Sequence, residues 1–179
     1  VLTKENTFLV VVDVQEKLAR AMHEMESMID GNVKLVKGAQ ILGIPILWTE
    51  QNPKGLGATV PELRDLLSSS EPVTKLSFSC CGEDSFVEQL NAIGRNQALV
   101  TGIESHVCVY QTVVDLIGRG YEVQVVADAV SSRTPENKAI GLERCKLAGA
   151  SVTSAETALF ELLKKAEGDQ FKQMLKVVK

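Results

Sequence analysis

The chain predicts an α/β fold, a mostly parallel sheet with helices on both faces. Three observations lead there. Short apolar, β-branched runs alternate with longer amphipathic stretches, the pattern of successive βαβ units. The first run, Thr7–Val12 (TFLVVV), is apolar almost throughout, as a strand buried on both faces must be. Glycines close several of the amphipathic stretches, as helix C-caps do. The 179 residues are enough for one substantial core and too few for two ordinary ones. No repeat, linker or low-complexity segment interrupts them, so one domain over 1–179 is expected.

The elements follow in order. After the first strand, a helix is expected over 28–42, ended by Gly43, and then a second strand over 44–49. Residues 50–57 (EQNPKGLG) are rich in turn formers and read as a loop. A short helix near 61–67 leads to a weak strand or extended segment at 73–76. Asp84–Ile93 is amphipathic and closed by Gly94. A strand at 98–101 and a helix at 105–117 come next, then a strand at 122–127. Thr134 and Pro135 supply an N-cap and a first-turn proline for a helix running to about residue 148. A last strand at 150–153, a helix from the Ser154 cap to 163 and an amphipathic helical tail at 170–179 complete the pattern.

Composition removes several classes of function. Apolar residues make up 45 % and charged residues 23 %, with a formal net charge of −4. Lys and Arg are dispersed, so no phosphate-binding footprint forms and nucleic acid is not an expected partner. The apolar runs are strand-sized, which argues against a membrane role. Cys80, Cys81, Cys108 and Cys145 show no repeated CxxC spacing and no neighbouring histidine pair, which speaks against zinc. A reduced, cytoplasmic protein is the simplest reading.

Parallel sheets bind ligands beyond the carboxyl ends of their strands, near a topological switch point. Polar residues just after each strand are therefore the candidates. Asp13 follows the first strand, where partial desolvation can tune a carboxylate for base work; a loop acid capping the next helix fits the position equally well. Cys108 lies near the start of the helix after the fourth strand, where the helix dipole and free N–H groups favour a thiolate. Taken alone, a free cysteine is more often a small buried hydrophobe. Lys75 ends an extended segment between apolar residues; without context it reads as a surface charge. Gln15, Trp48, Glu50 and Gln51 are candidates to line a pocket, Trp48 as an apolar wall and Gln51 as a donor–acceptor pair suited to an amide. Packing of Trp48 in the core is the alternative. Asp128 and Arg133 read as a structural loop pair, and His23 as a helix-surface residue. His106 reads as a helix-start or interface residue.

Asp13, Lys75 and Cys108, with Thr-Gly-Ile-Glu-Ser-His-Val-Cys-Val (101–109), Gly-Tyr-Glu-Val (120–123) and Ala-Asp-Ala-Val-Ser-Ser-Arg (127–133), resemble the isochorismatase-like cysteine hydrolases. The similarity is strongest to the branch of isochorismatase domain-containing proteins, which shares the loop Thr-Glu-Gln-Asn-Pro-Lys-Gly-Leu-Gly (49–57). It runs over nearly the whole chain. It implies a six-stranded, Rossmann-like three-layer fold and an Asp–Lys–Cys triad, with Cys108 as nucleophile, Asp13 as base and Lys75 bridging them. It also implies a non-proline cis peptide at Ile103–Glu104, aiming the Glu104 N–H, with that of Cys108, at an oxyanion.

Two departures narrow the expected chemistry. Nicotinamidases of this superfamily resemble a metal-dependent version with an Asp and two histidines; here Glu50 and Gln51 stand where those ligands begin, too thin a set for zinc. No metal or other cofactor is expected. Isochorismatases that cleave vinyl ethers typically lack the cysteine, so Cys108 favours acyl transfer at an amide, imide or ester carbonyl of a small metabolite. The alternative is a catalytically quiet, oligomeric binding or scaffold protein of the same fold. A homo-oligomer is expected in either case.

Overall fold

The computed structural model describes residues 1–179. Six parallel strands form one sheet in the order β3-β2-β1-β4-β5-β6. They are β1 (Thr7–Val12), β2 (Ile46–Gln51), β3 (Val73–Lys75), β4 (Gln97–Ile103), β5 (Glu122–Ser131) and β6 (Ser151–Thr153). Nine α-helices connect them: α1 (Glu16–Ala19), α2 (Met25–Leu42), α3 (Pro53–Leu56), α4 (Pro61–Arg64), α5 (Asp84–Ile93), α6 (Tyr110–Gly118), α7 (Pro135–Leu147), α8 (Ala155–Leu163) and α9 (Gly168–Val178).

Alternation along the strands divides the core in two. Leu9, Val11, Trp48, Leu99 and Ile103 face a layer that includes Leu35 of α2, Leu159 of α8 and Met174 of α9. Phe8, Val10, Val12, Leu47, Val73 and Val100 face Phe86 of α5, Val113 of α6 and Cys145 of α7. The chain reverses direction across the sheet between β1 and β4, so the switch point lies beyond their carboxyl ends.

Local chemistry explains most boundaries. Gly43 (φ 67°) ends α2 and Gly94 (φ 64°) ends α5, both in the left-handed conformation that glycine adopts without a Cβ penalty. Thr134 accepts from the Asn137 N–H and Ser154 from the Thr157 N–H, capping α7 and α8.

Several expectations need correction. The segment after β4 begins as a π-helical turn, Ser105–Val109, before α6 starts at Tyr110. β5 continues through Ser131, because its pairing with β4 shifts between Val100 and Gly102 and absorbs the extra residues. Asp128 and Arg133 do not pair: Asp128 accepts from the Ala155 N–H at the start of α8, and Arg133 reaches Glu104. His23 sits in the bend between α1 and α2, with its backbone N–H bonded to the Ser132 carbonyl.

Candidate active site

Three strand ends deliver the polar side chains. β1 stops at Val12, and Asp13 follows in the left-handed region at φ 50°. On β2, Leu47, Thr49 and Gln51 share the face that meets the α5–α6–α7 layer, and on β3 Val73 and Lys75 do the same. Cys108 lies in the π-helical turn after β4 and packs into that layer. The structure therefore brings Asp13, Lys75 and Cys108 together beside the switch point.

Asp13 is fully buried. Its Oδ1 accepts from the Thr49 hydroxyl at 2.7 Å, and Lys75 Nζ lies 2.7 Å from Oδ2. That second contact is off the direction of an aligned hydrogen bond, so it is an ion pair. The Lys75 ammonium donates instead to the carbonyls of Ser77 (3.0 Å) and Phe78 (2.9 Å). Cys108 Sγ donates to Gln51 Oε1 at 3.0 Å, and the residue is 4 % exposed.

Burial controls the electrostatics. It lifts the Asp13 carboxyl above its ordinary range, against the lowering effect of Lys75, Thr49 and Cys108. Burial pulls Lys75 down, but the charge of Asp13, joined by Cys80 and Cys108 where those thiols ionise, outweighs it and leaves the ammonium above its usual value. Burial and the Asp13 charge push the Cys108 thiol up to about 12, with Lys75 opposing. The result is a protonated lysine, a carboxylate more basic than one on the surface, and a thiol that stays neutral until a base takes its proton.

Two residues here escaped the sequence reading. Thr49 bridges Asp13 and Cys80, its Oγ1 standing 3.7 Å from the Cys80 sulfur. Cys80, in the turn Cys80–Gly82, is fully buried and pushed up to about 12 by burial and by Asp13. Strand alternation was the available signal for Thr49, two residues before Gln51 on the same face. Nothing local marked Cys80.

The remaining candidates divide. Gln51 contacts the thiol. Trp48 and Glu50 do not: they occupy the opposite face of β2, where both line a separate cavity of about 450 Å³. Trp48 packs in the core and donates to Ser70 Oγ at 2.9 Å, while Glu50 Oε1 accepts the N–H and hydroxyl of Thr59. Glu50 and Gln51, pointing to opposite faces, cannot share a metal. No group of three or more His, Cys, Asp or Glu side chains is arranged to hold one. Gln15 is buried, and its amide is spent on the backbone: Nε2 donates to the Gln51 and Gly57 carbonyls, and Oε1 accepts the Gln51 N–H. It braces the site from behind.

The Ile103–Glu104 peptide bond is cis. The Glu104 N–H has no acceptor within the chain, and its carboxylate pairs with Arg133 at 3.2 Å. His106 Nδ1 lies 2.9 Å from Ser132 Oγ. The turn holding Cys108 is pressed by α7: a Cβ on Gly141 would stand 2.5 Å from the Ser105 carbonyl carbon.

Comparison with known proteins agrees with this architecture. The Isochorismatase domain model matches residues 7–157. Isochorismatase domain-containing protein 1 of Danio rerio is 38 % identical over 167 residues, covering 93 % of this chain and 59 % of that protein. The chain thus spans less than two thirds of that relative's length. The secreted isochorismatase effector Isc1 of Phytophthora sojae is 38 % identical over 184 residues, covering 99 % of this chain and 87 % of its own. Among solved structures, the MAR1 ribonuclease of Caenorhabditis elegans superposes with a TM-score of 0.93 at 36 % identity, covering 99 % of this chain and 91 % of that one. Sheet order, the matched domain and relatives aligned over nearly all of this chain converge, and the chain belongs to the isochorismatase family, with the hydrolase fold of that family.

Proposed function

We propose that the chain is a cysteine-dependent hydrolase that cleaves an amide, imide or ester bond of a small metabolite through a thioester. One observation carries the reading: a buried carboxylate–ammonium pair, 2.7 Å apart, beside a thiol in the π-helical turn after β4. Asp13, made more basic by burial, takes the Cys108 proton as sulfur attacks the carbonyl carbon. The carbonyl electron pair moves to oxygen, where the N–H groups of Glu104 and Cys108 are the candidate donors. The intermediate collapses, breaking the bond to nitrogen or oxygen, and protonated Asp13 returns its proton to the leaving group. Water then attacks the thioester with Asp13 again as base, releasing a carboxylic acid and the free thiol. Lys75 keeps its charge throughout and holds the carboxylate in place.

The test is a panel of small amides, imides, ureas and esters, assayed with wild type, Cys108→Ser and Asp13→Asn. The expected result is turnover of at least one compound by wild type and loss of at least about a hundredfold in each variant. Undiminished turnover by Cys108→Ser would sink the assignment.

A second reading comes from the C. elegans relative, which bears the name of a ribonuclease at 36 % identity. Net charge −4 and a site lysine already engaged by Asp13 and two carbonyls weigh against a polyanionic substrate. Incubating RNA with the same three proteins separates the readings, since RNA cleavage lost in Asp13→Asn would favour the ribonuclease.

The proposal extends to surroundings. Four free, buried cysteines suit a reducing, cytoplasmic setting, and exposed Ile140 and Leu147 suit contact with a second copy. No helix is long and apolar enough to cross a membrane. Neither a metal nor another cofactor enters the scheme.

A further inference from the structure

We infer that the carboxamide of Gln51 is a movable cap on the resting nucleophile, which a ligand must displace to reach sulfur. The Gln51 main chain is pinned at both ends. Its N–H donates to Gln15 Oε1 at 2.7 Å, and its carbonyl accepts from Gln15 Nε2 at 2.9 Å. The second Nε2 proton of Gln15 is fixed by the Gly57 carbonyl at 2.8 Å. The Gln51 side chain has no such anchorage. It is half-buried, its Nε2 bonds to nothing within the chain, and its single hydrogen bond is the one its Oε1 accepts from Cys108 Sγ.

That asymmetry is the device. A rigid backbone carries a loosely held amide over the sulfur of a residue that is 4 % exposed. A thiol is a weak donor, so rotating the Gln51 side chain away costs little and leaves the strand undisturbed. The bound oxygen is a planar carboxamide oxygen, so the group best able to replace it is another one. On the hydrolase reading above, which this inference deepens, the substrate class is narrowed to compounds presenting a carboxamide-like oxygen to the thiol. The cap itself does not depend on that reading.

Iodoacetamide, a small carboxamide alkylator, tests the cap without any turnover. Labelling of Cys108 at pH 8 is followed by peptide mass spectrometry on the full chain, with buried Cys145 as internal reference. In Gln51→Ala, the Cys108-to-Cys145 ratio of rates is expected to rise about five- to tenfold, the population change from losing one modest hydrogen bond. Gln51→Asn keeps the amide but is one methylene short of the sulfur, and is expected to behave likewise; it serves if the alanine variant fails to fold. An unchanged ratio, or a rise in both cysteines together, overturns the cap. Expected labelling in a protein that hydrolyses none of the amides or esters would leave the cap standing and remove the hydrolase.

Discussion

Replacing Lys75 by Met leaves the volume of the site nearly intact and strips one charge from a pair without solvent access. In the native chain the ammonium lies 2.7 Å from Asp13 Oδ2, both side chains being fully buried. Removing one partner of such a pair costs about 3–5 kcal/mol, because the remaining charge keeps its desolvation penalty. The carbonyls of Ser77 and Phe78 also lose their donor, adding about 1 kcal/mol each where water cannot reach them. Asp13 escapes part of the penalty by taking a proton. Its carboxyl is already raised by burial, and losing Lys75 removes the leading influence that lowers it. The variant's folded state therefore binds more protons than its unfolded state above the ordinary carboxylate pKa of about 3.9. Stability is then full below that pH and falls by up to about 1.4 kcal/mol per unit as pH rises toward the folded value. Urea unfolding of wild type and Lys75→Met at pH 4 and pH 7.5 measures the difference. The expected deficit is about 3–5 kcal/mol at pH 7.5 and markedly smaller at pH 4. Adding Asp13→Asn should recover part of it at pH 7.5. A deficit below about 1 kcal/mol, or one equal at both pH values, refutes the argument.

Other substitutions probe separate parts of the scaffold. Thr49→Val removes the hydroxyl bonded to Asp13 Oδ1 and should lower stability by about 1.5–3 kcal/mol in urea unfolding at neutral pH, with a smaller loss in acid where the carboxyl is protonated. Gln15→Leu leaves the Gln51 N–H and the Gln51 and Gly57 carbonyls without their partner; a loss of about 2–4 kcal/mol is expected by the same measurement. Gly141→Ala places a methyl 2.5 Å from the Ser105 carbonyl carbon, so α7 or the Cys108 turn must move, at a cost of about 1–3 kcal/mol and a reduced rate for any reaction at Cys108.

Much of the architecture was readable because local chemistry and tertiary need agree. Thr7–Val12 and Asp84–Ile93 have the bounds expected from their patterns, the first from an unbroken apolar run and the second from amphipathic spacing stopped by Gly94. Disagreement begins where a polar residue serves another element. Asp128 reads as a loop residue after the fifth strand, yet it lies within β5 and caps α8 through the Ala155 N–H. The π-helical turn at Ser105–Val109 has no compositional marker, because its shape answers to packing under Gly141.

The site was legible in a different way. Asp13, Lys75 and Cys108 come from three separate segments, so no local pattern links them, and family resemblance selected them from ordinary loop acids, surface lysines and buried thiols. The pocket candidates show the limit of proximity in sequence. Trp48, Glu50 and Gln51 were grouped because they follow one strand, but alternation sends the first two to one face and Gln51 to the other. Gln15, two residues after Asp13, turned out to grip backbone and not ligand space.

Edge strand β3 has a longer reach than its three residues suggest. It pairs with β2 alone, through three partners, yet Lys75 at its tip stretches past β2 to the carboxylate beyond β1. One ammonium rivets the rim of the sheet to its centre while gathering the Ser77–Phe78 turn. Asp13 and Lys75 therefore have a mechanical reason to be retained whether or not the site does chemistry. The Cys108 sulfur, set against Gln51 and Asp13, carries no charge across the sheet, so replacing it should cost the scaffold less than losing the acid–lysine pair.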